Sequence, residues 1–168
     1  MAENIGKKAE KKIQEWLDHP ELGYSFDRLK DQMTGFFGST NICDFIVFKA
    51  PFQYYIESKC TENDRFDFSM ITDTQYDGLL QKSKIKYVYA WVIVLFASYK
   101  RAFVLNIQDI DWMIQNGKKS LNITKIDKCP IPYKEIRTVP NNRKPLLDYE
   151  GLIEEYCPDS RLVYEKNS

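Results

Sequence analysis

Asp44, Glu57 and Lys59 are residues of the right type and spacing to do chemistry together. Side chains at i and i+2 of a strand share a face, so Glu57 and Lys59 project together while Ile56 and Ser58 face the other way. "CDFIVFK" (43–49) and "QYYIESKC" (53–60) are rich in β-branched and aromatic residues, and the short Ala50-Pro51 break between them predicts a hairpin. Pairing the two strands brings Asp44 close to Glu57 and Lys59, two carboxylates and an ammonium at one end of a buried sheet. Hard oxygen ligands of this kind hold Mg²⁺, which keeps several waters and a substrate phosphate in its remaining positions. The ion lowers the pKa of bound water and stabilises the charge that develops on a phosphodiester under attack. A lysine beside it orients or helps deprotonate the water, or neutralises the phosphate. The same residues also make a salt bridge at a strand end, and the short pattern D…ExK by itself does not separate the two readings.

Two polar residues on flanking helices bear on that choice. Glu10 lies three and seven residues before Ile13 and Leu17, on or beside the apolar stripe of an N-terminal helix. Gln75 falls four residues from both Ile71 and Leu79 on a helix that follows the second strand. Either residue alone reads as a stripe edge reaching water. A polar group that faces a core needs a partner or a function, and the two together predict a polar pocket shared with the strand pair.

The elements that must position these residues follow from periodicity. Ile5, Ala9, Ile13, Trp16 and Leu17 predict a helix over 3–18, stopped by Pro20 and Gly23. "GYSFDRL" reads as a strand, followed by a polar loop at 34–41. After the hairpin strands comes a helix over 69–83, for which Ser69 is the candidate cap. Strands are expected at 87–98 and 101–107, the first apolar on both faces like a central strand. "IQDIDWMIQNGKKS" reads as a short helix stopped at Asn116-Gly117, then an irregular basic stretch holding Pro130, Pro132, Pro140 and Pro145, then a last helix in "LLDYEGLIEEYC". The order predicts an α/β fold, a mixed central β-sheet flanked by helices.

At 168 residues the chain is long enough for a single domain (1–168) with a real core, and 43% hydrophobic content excludes wholesale disorder. The formal net charge is zero, yet residues 115–144 hold eight Lys/Arg against two acids and 77–101 hold five against one, while 36–76 and 145–168 are net acidic. A neutral total can therefore join a basic face to an acidic pocket, a layout suited to a metal-dependent enzyme acting on phosphates. Scattered surface charges would give the same count. Cys43, Cys60, Cys129 and Cys157 form no CxxC pair, and with His19 they make no zinc pattern. The longest apolar run, "YVYAWVIVLFASY", has 13 residues, too short to span a bilayer. With a charged N-terminus and no visible signal peptide, a soluble intracellular protein with reduced thiols is expected.

"NIGKKAEKKI", "TNICDFIVF", "YYIESKCT", "RFDFSMITDTQYDGL", "AFVLNIQDIDWMIQNGKKSL" and "KPLLDYEGLIEEY" occur in the order seen in RecU-type Holliday junction resolvases, nucleases of the PD-(D/E)xK, or restriction-endonuclease-like, superfamily. The resemblance covers roughly 4–156, and the spacing D-x12-E-x-K followed by "RF-x-F…Q" carries most of it. It implies a restriction-endonuclease-like core, with Asp44, Glu57 and the backbone carbonyl of Ser58 as metal ligands and Lys59 as the catalytic lysine. Glu10 resembles the glutamate of the family's N-terminal helix, acting near the metal through water, and Gln75 matches the glutamine that orients Lys59 or a water. The resemblance further implies Mg²⁺, with Mn²⁺ as substitute, no organic cofactor, branched DNA as substrate and a cytoplasmic, nucleoid-associated homodimer without membrane contact. Two identical sites would then place paired nicks in opposing strands.

Lys118, Lys119, Lys125 and Lys128, with Arg65, Arg137, Arg143 and Lys144, are the expected phosphate contacts, extended by Lys82, Lys84 and Lys86. The chain departs from the family pattern in two places. The family's long stalk, which enters the junction centre, is reduced here to a region near 30–42, where Phe36 and Phe37 are the residues placed to meet unstacked bases. Ile5 stands where the family's "N-R-G" opening has arginine. The expected function is structure-specific resolution of four-way junctions in recombination and repair. The alternatives are a related nuclease acting on forks, flaps or linear duplex, a restriction-type enzyme, and a non-catalytic DNA-binding accessory protein.

Overall fold

In a computed structural model, residues 4–29 and 41–136 are described. Their strands are β1 (Ser25–Arg28), β2 (Phe45–Lys49), β3 (Phe52–Thr61), β4 (Arg65–Asp67), β5 (Val88–Phe96), β6 (Arg101–Asn106), β7 (Ser120–Asn122) and β8 (Lys134–Ile136). Six of them form one sheet in the order β1-β2-β3-β5-β6-β8. In it β3 and β5 run parallel and every other pair is antiparallel, so the sheet is mixed as the sequence predicts. The parallel pair is joined by a crossover that contains a helix, Asp73–Ser83. In chain order the helices are α1 (Ile5–Leu17), before β1, α2 (Asp73–Ser83), and α3 (Ile107–Gln115), after β6.

Alternation along the central strand divides the core. Trp91 and Ile93 of β5 face one side with Ile13, Trp16 and Leu17 of α1 and with Tyr54 and Ile56 of β3. Ala90, Val92, Val94 and Phe96 face the other side with Leu79 of α2 and with Ile107, Ile110 and Met113 of α3. Helices thus cover both faces, which is why β5 reads as an unbroken apolar run.

Two readings are corrected. The helix expected from Ser69 begins at Asp73, because Thr72 caps it: its hydroxyl accepts from the Gln75 N–H at 3.3 Å while the Gln75 side chain accepts from the Thr72 N–H at 3.1 Å. This reciprocal capping box satisfies two orphan donors, and Ser69 is left in a single 3₁₀ turn, Phe68–Met70. The basic stretch after α3 is not irregular throughout. It holds β7, which pairs antiparallel with β4, a 3₁₀ segment Ile123–Lys128, and the edge strand β8. The segment near 30–42, with Phe36 and Phe37, lies outside the described residues except for its last two positions. Arg137, Arg143, Lys144 and the helix expected at the C-terminal end lie outside them altogether.

Candidate active site

The register of β2 and β3 determines where the acidic residues meet. Phe45 pairs with Ile56, and the backbone of Asp44 departs from the β2–β3 register there: its N–H donates to the same Ile56 carbonyl at 3.0 Å while its own carbonyl turns to the other edge and accepts from Leu29 at 2.8 Å. There β2 ends, while β3 runs on to Thr61. The Ser58 N–H would therefore lack a strand partner on that edge, and the Asp44 side chain supplies one. Asp44 Oδ2 accepts from Ser58 N at 2.8 Å and from Ser58 Oγ at 2.6 Å. In an antiparallel ladder the N–H and C=O of one residue point to the same edge, so the Ser58 carbonyl is turned toward the edge that Asp44 occupies.

Glu57 and Lys59 project toward α2. Glu57 is 2% exposed, and its Oε1 receives the Lys59 ammonium at 2.8 Å and Gln75 Nε2 at 2.7 Å. Gln75 Oε1 in turn accepts from Lys59 Nζ at 3.0 Å. The three side chains close a ring in which Gln75 uses both ends of its amide. Burial pushes the Glu57 carboxyl up to about 7, with the charge of Asp44 adding to the rise and Lys59 opposing it. Glu57 Oε2 is buried and has no hydrogen-bond partner.

The residues expected at the site are not all in this cluster. Asp44, Ser58, Glu57, Lys59 and Gln75 come together by direct bonds. Glu10 does not join them: it pairs with Arg28 of β1 at 2.5 Å, on the α1 side of the sheet, and reaches Glu57 only through its charge, which adds a little to the raised pKa. Sequence reasoning missed the Ser58 hydroxyl, the Arg28 partner and Thr72. The last was legible as T-x-x-Q, the capping-box pattern. It also missed Gly78. A Cβ on Gly78 would stand 2.3 Å from Ile42 Cγ2, so only glycine lets α2 approach the segment that leads into Asp44.

The donor set suits a hard divalent cation. Among the described residues no group of three or more His, Cys, Asp or Glu side chains gathers as a metal site, so the candidate ligands are the pair Asp44 and Glu57. Two carboxylates with a carbonyl suffice for Mg²⁺, which keeps much of its water shell. The orphaned Glu57 Oε2 is the observation that favours such a site, because a buried carboxylate oxygen without a donor is destabilising unless a cation meets it.

A sequence model of the RecU family, "Recombination protein U", matches residues 24–155. The chain belongs to the RecU family. No curated protein matches it in a sequence search. Among solved structures, the 1.6 Å structure of Archaeoglobus fulgidus Hjc, a Holliday junction resolvase from an archaeal hyperthermophile, is similar with a TM-score of 0.51 and 14% identity over 73% of this chain and 93% of that one. At that identity the likeness speaks to the fold, and the mixed sheet with helices on both faces is the one expected of a RecU-type nuclease.

The bonds of the ring involve none of the expected DNA contacts of this RecU protein. Lys118 and Lys119, both exposed, line a cavity of about 550 Å³ together with Asp73 and Tyr76 of α2 and Ile114 of α3. Lys125 and Lys128 are exposed on the 3₁₀ segment after β7. Arg65 is paired with Asp67 at 2.9 Å. No helix among the described residues is long and apolar enough to cross a membrane.

Proposed function

We propose that this RecU-family chain is a divalent-metal-dependent endonuclease that resolves four-way DNA junctions by paired nicks, as a cytoplasmic, nucleoid-associated homodimer. The observation that carries the reading is the ring of Glu57, Lys59 and Gln75 beside Asp44, with one buried Glu57 oxygen left unbonded. Asp44, Glu57 and the Ser58 carbonyl would hold Mg²⁺ or Mn²⁺. The bound ion supplies an acidified water and neutralises charge on the scissile phosphate.

The chain's own residues do the rest. Ser58 pins one oxygen of Asp44 by two bonds, so the other is the one available to a ligand. Gln75 and Lys59 occupy Glu57 Oε1 and leave Oε2. Lys59, 14% exposed at its side chain, holds its ammonium at the mouth of the ring, where it can orient an attacking water or stabilise an anionic phosphate oxygen. Glu10, fixed by Arg28, adds negative charge at the periphery.

The test is cleavage of an end-labelled four-way junction against linear duplex of matching sequence, in Mg²⁺ or EDTA, with wild type and Asp44→Asn. The expected result is symmetric nicks in the junction alone, abolished by EDTA and by the substitution. Equal cutting of junction and duplex would keep the chemistry and replace junction resolution with a broader branched- or linear-DNA nuclease, the reading that the short 30–42 region favours. Binding without cutting in any divalent metal would overturn the nuclease in favour of an accessory protein.

A further inference from the structure

The amide of Gln75 serves two structures at once. As the third residue of α2 it completes the capping box, with Oε1 accepting from the Thr72 backbone N–H. The same Oε1 accepts from Lys59, and Nε2 donates to Glu57. An amide turned over would set its NH₂ group against two donors and its oxygen against a carboxylate, so these contacts allow one orientation. Of the two donors that fix it, Lys59 is the one whose ammonium must also serve substrate. The Thr72 N–H is backbone and stays.

We propose that the backbone N–H of residue 72 is the positioning element for Gln75, holding its amide so that Nε2 bonds Glu57 Oε1 and the second Glu57 oxygen is left to ligate metal. Thr72 is in this sense a positioning residue, acting through Gln75 and touching no reacting atom. This rests on the nuclease reading for its consequence in catalysis, though the amide geometry itself does not depend on it.

The backbone permits an unusually direct test. Thr72 has φ −68°, within the range that proline imposes, and Ile71 before it is extended at φ −84°, ψ 118°, as a residue preceding proline must be. Thr72→Pro therefore removes the N–H and the hydroxyl without a backbone clash, Thr72→Ala removes the hydroxyl and the γ-methyl but keeps the N–H, and Thr72→Ser keeps both the N–H and the hydroxyl. An ester in place of the Ile71–Thr72 amide removes the N–H alone, and it decides the matter should the proline variant not fold.

Three readouts are compared: the ¹H–¹⁵N signals of the Gln75 side-chain NH₂, Mg²⁺ affinity by calorimetry without DNA, and kcat and KM for nicking. The serine variant should match wild type in all three. The alanine variant should melt lower through loss of the cap, yet keep the Gln75 signals in place and Mg²⁺ affinity within about twofold, since the N–H remains. The proline and ester variants should collapse the Gln75 signals toward those of a free amide, weaken Mg²⁺ by about tenfold and lower kcat by a similar factor with KM unchanged, as loss of one such bond implies. Proline or ester variants that keep the Gln75 signals of the alanine variant would overturn the proposal. A wild type that neither binds Mg²⁺ nor nicks DNA would instead remove the nuclease reading, and the NMR comparison would still decide the positioning role.

Discussion

Buried against Lys59 and Gln75 and within the field of Asp44, Glu57 titrates near neutrality, about 7 against an ordinary 4.5. Between those values the folded chain holds a proton that the unfolded chain has already lost. Its contribution to stability is therefore complete below pH 4.5 and declines as pH rises through 7. In EDTA, Glu57→Gln, which cannot ionise, should melt above wild type at pH 8, with the gap closing toward pH 5. A constant gap across that range would show that the residue does not carry the pH dependence. Metal binding runs against the same proton. Below pH 7 a cation at Glu57 must displace it, so Mg²⁺ affinity should fall by roughly tenfold per pH unit there and level off above pH 8. Equal calorimetric affinities at pH 6 and pH 8 would place the ion elsewhere.

Helix α2 carries the site at the scale of elements. Its N-terminal turn presents Gln75 to Glu57 and Lys59, and its middle, at Gly78, lets Ile42 pack where any side chain would stand. Alanine at 78 would gain about 1 kcal/mol in helix propensity, but its Cβ would lie 2.3 and 2.8 Å from two Ile42 carbons, and overpacking of that kind costs about 1–3 kcal/mol. Gly78→Ala should therefore lower the melting temperature and, by pushing the 41–43 segment away, slow nicking. Adding Ile42→Gly, which removes both of those carbons, should restore much of both, and an additive double variant would show that the contact does not position Asp44. The same helix shows what the sequence could and could not disclose. Its body was legible, as was α1, from helical spacing, and the long strands β2, β3, β5 and β6 from runs of β-branched and aromatic residues bounded by turns, unbroken and apolar in the case of β5. Its start was misplaced because Ser69 and Thr72 are both good caps, and only the reciprocal partner Gln75 separates them. The three-residue strands β4, β7 and β8 have too few positions to show alternation. β4 pairs with β7, Arg65 to Asn122, across a separation that no local pattern records. The gathering of the candidate residues was legible as D…ExK because strand geometry fixes which side chains share a face. That Glu10 pairs with Arg28 rather than joining the ring depends on how α1 lies on the sheet, which helical spacing does not specify.

Over the whole molecule the question is which cations meet DNA, since the net charge is zero and affinity must come from local excess. Lys118 and Lys119 are exposed beside the N-terminal half of α2, the same half that holds Gln75 to the ring. Arg65, expected from the sequence to do similar work, is already paired with Asp67 at 2.9 Å and would have to surrender that partner to reach a phosphate. The two kinds of cation should separate in salt titrations of an Asp44→Asn protein, expected under the proposed function to bind without cutting. Replacing Lys118 and Lys119 together with glutamine should lower the slope of log affinity against log salt by about 2, one for each phosphate no longer neutralised, whereas Arg65→Gln should leave the slope nearly unchanged. Lysine–phosphate pairs position DNA without reading its form, so the double substitution should weaken junction and linear duplex by the same factor. An unchanged slope would remove these lysines from the DNA path. A weakening confined to the junction would give them a part in selectivity, and junction preference would then reside on this face of the sheet rather than in the short region near 30–42.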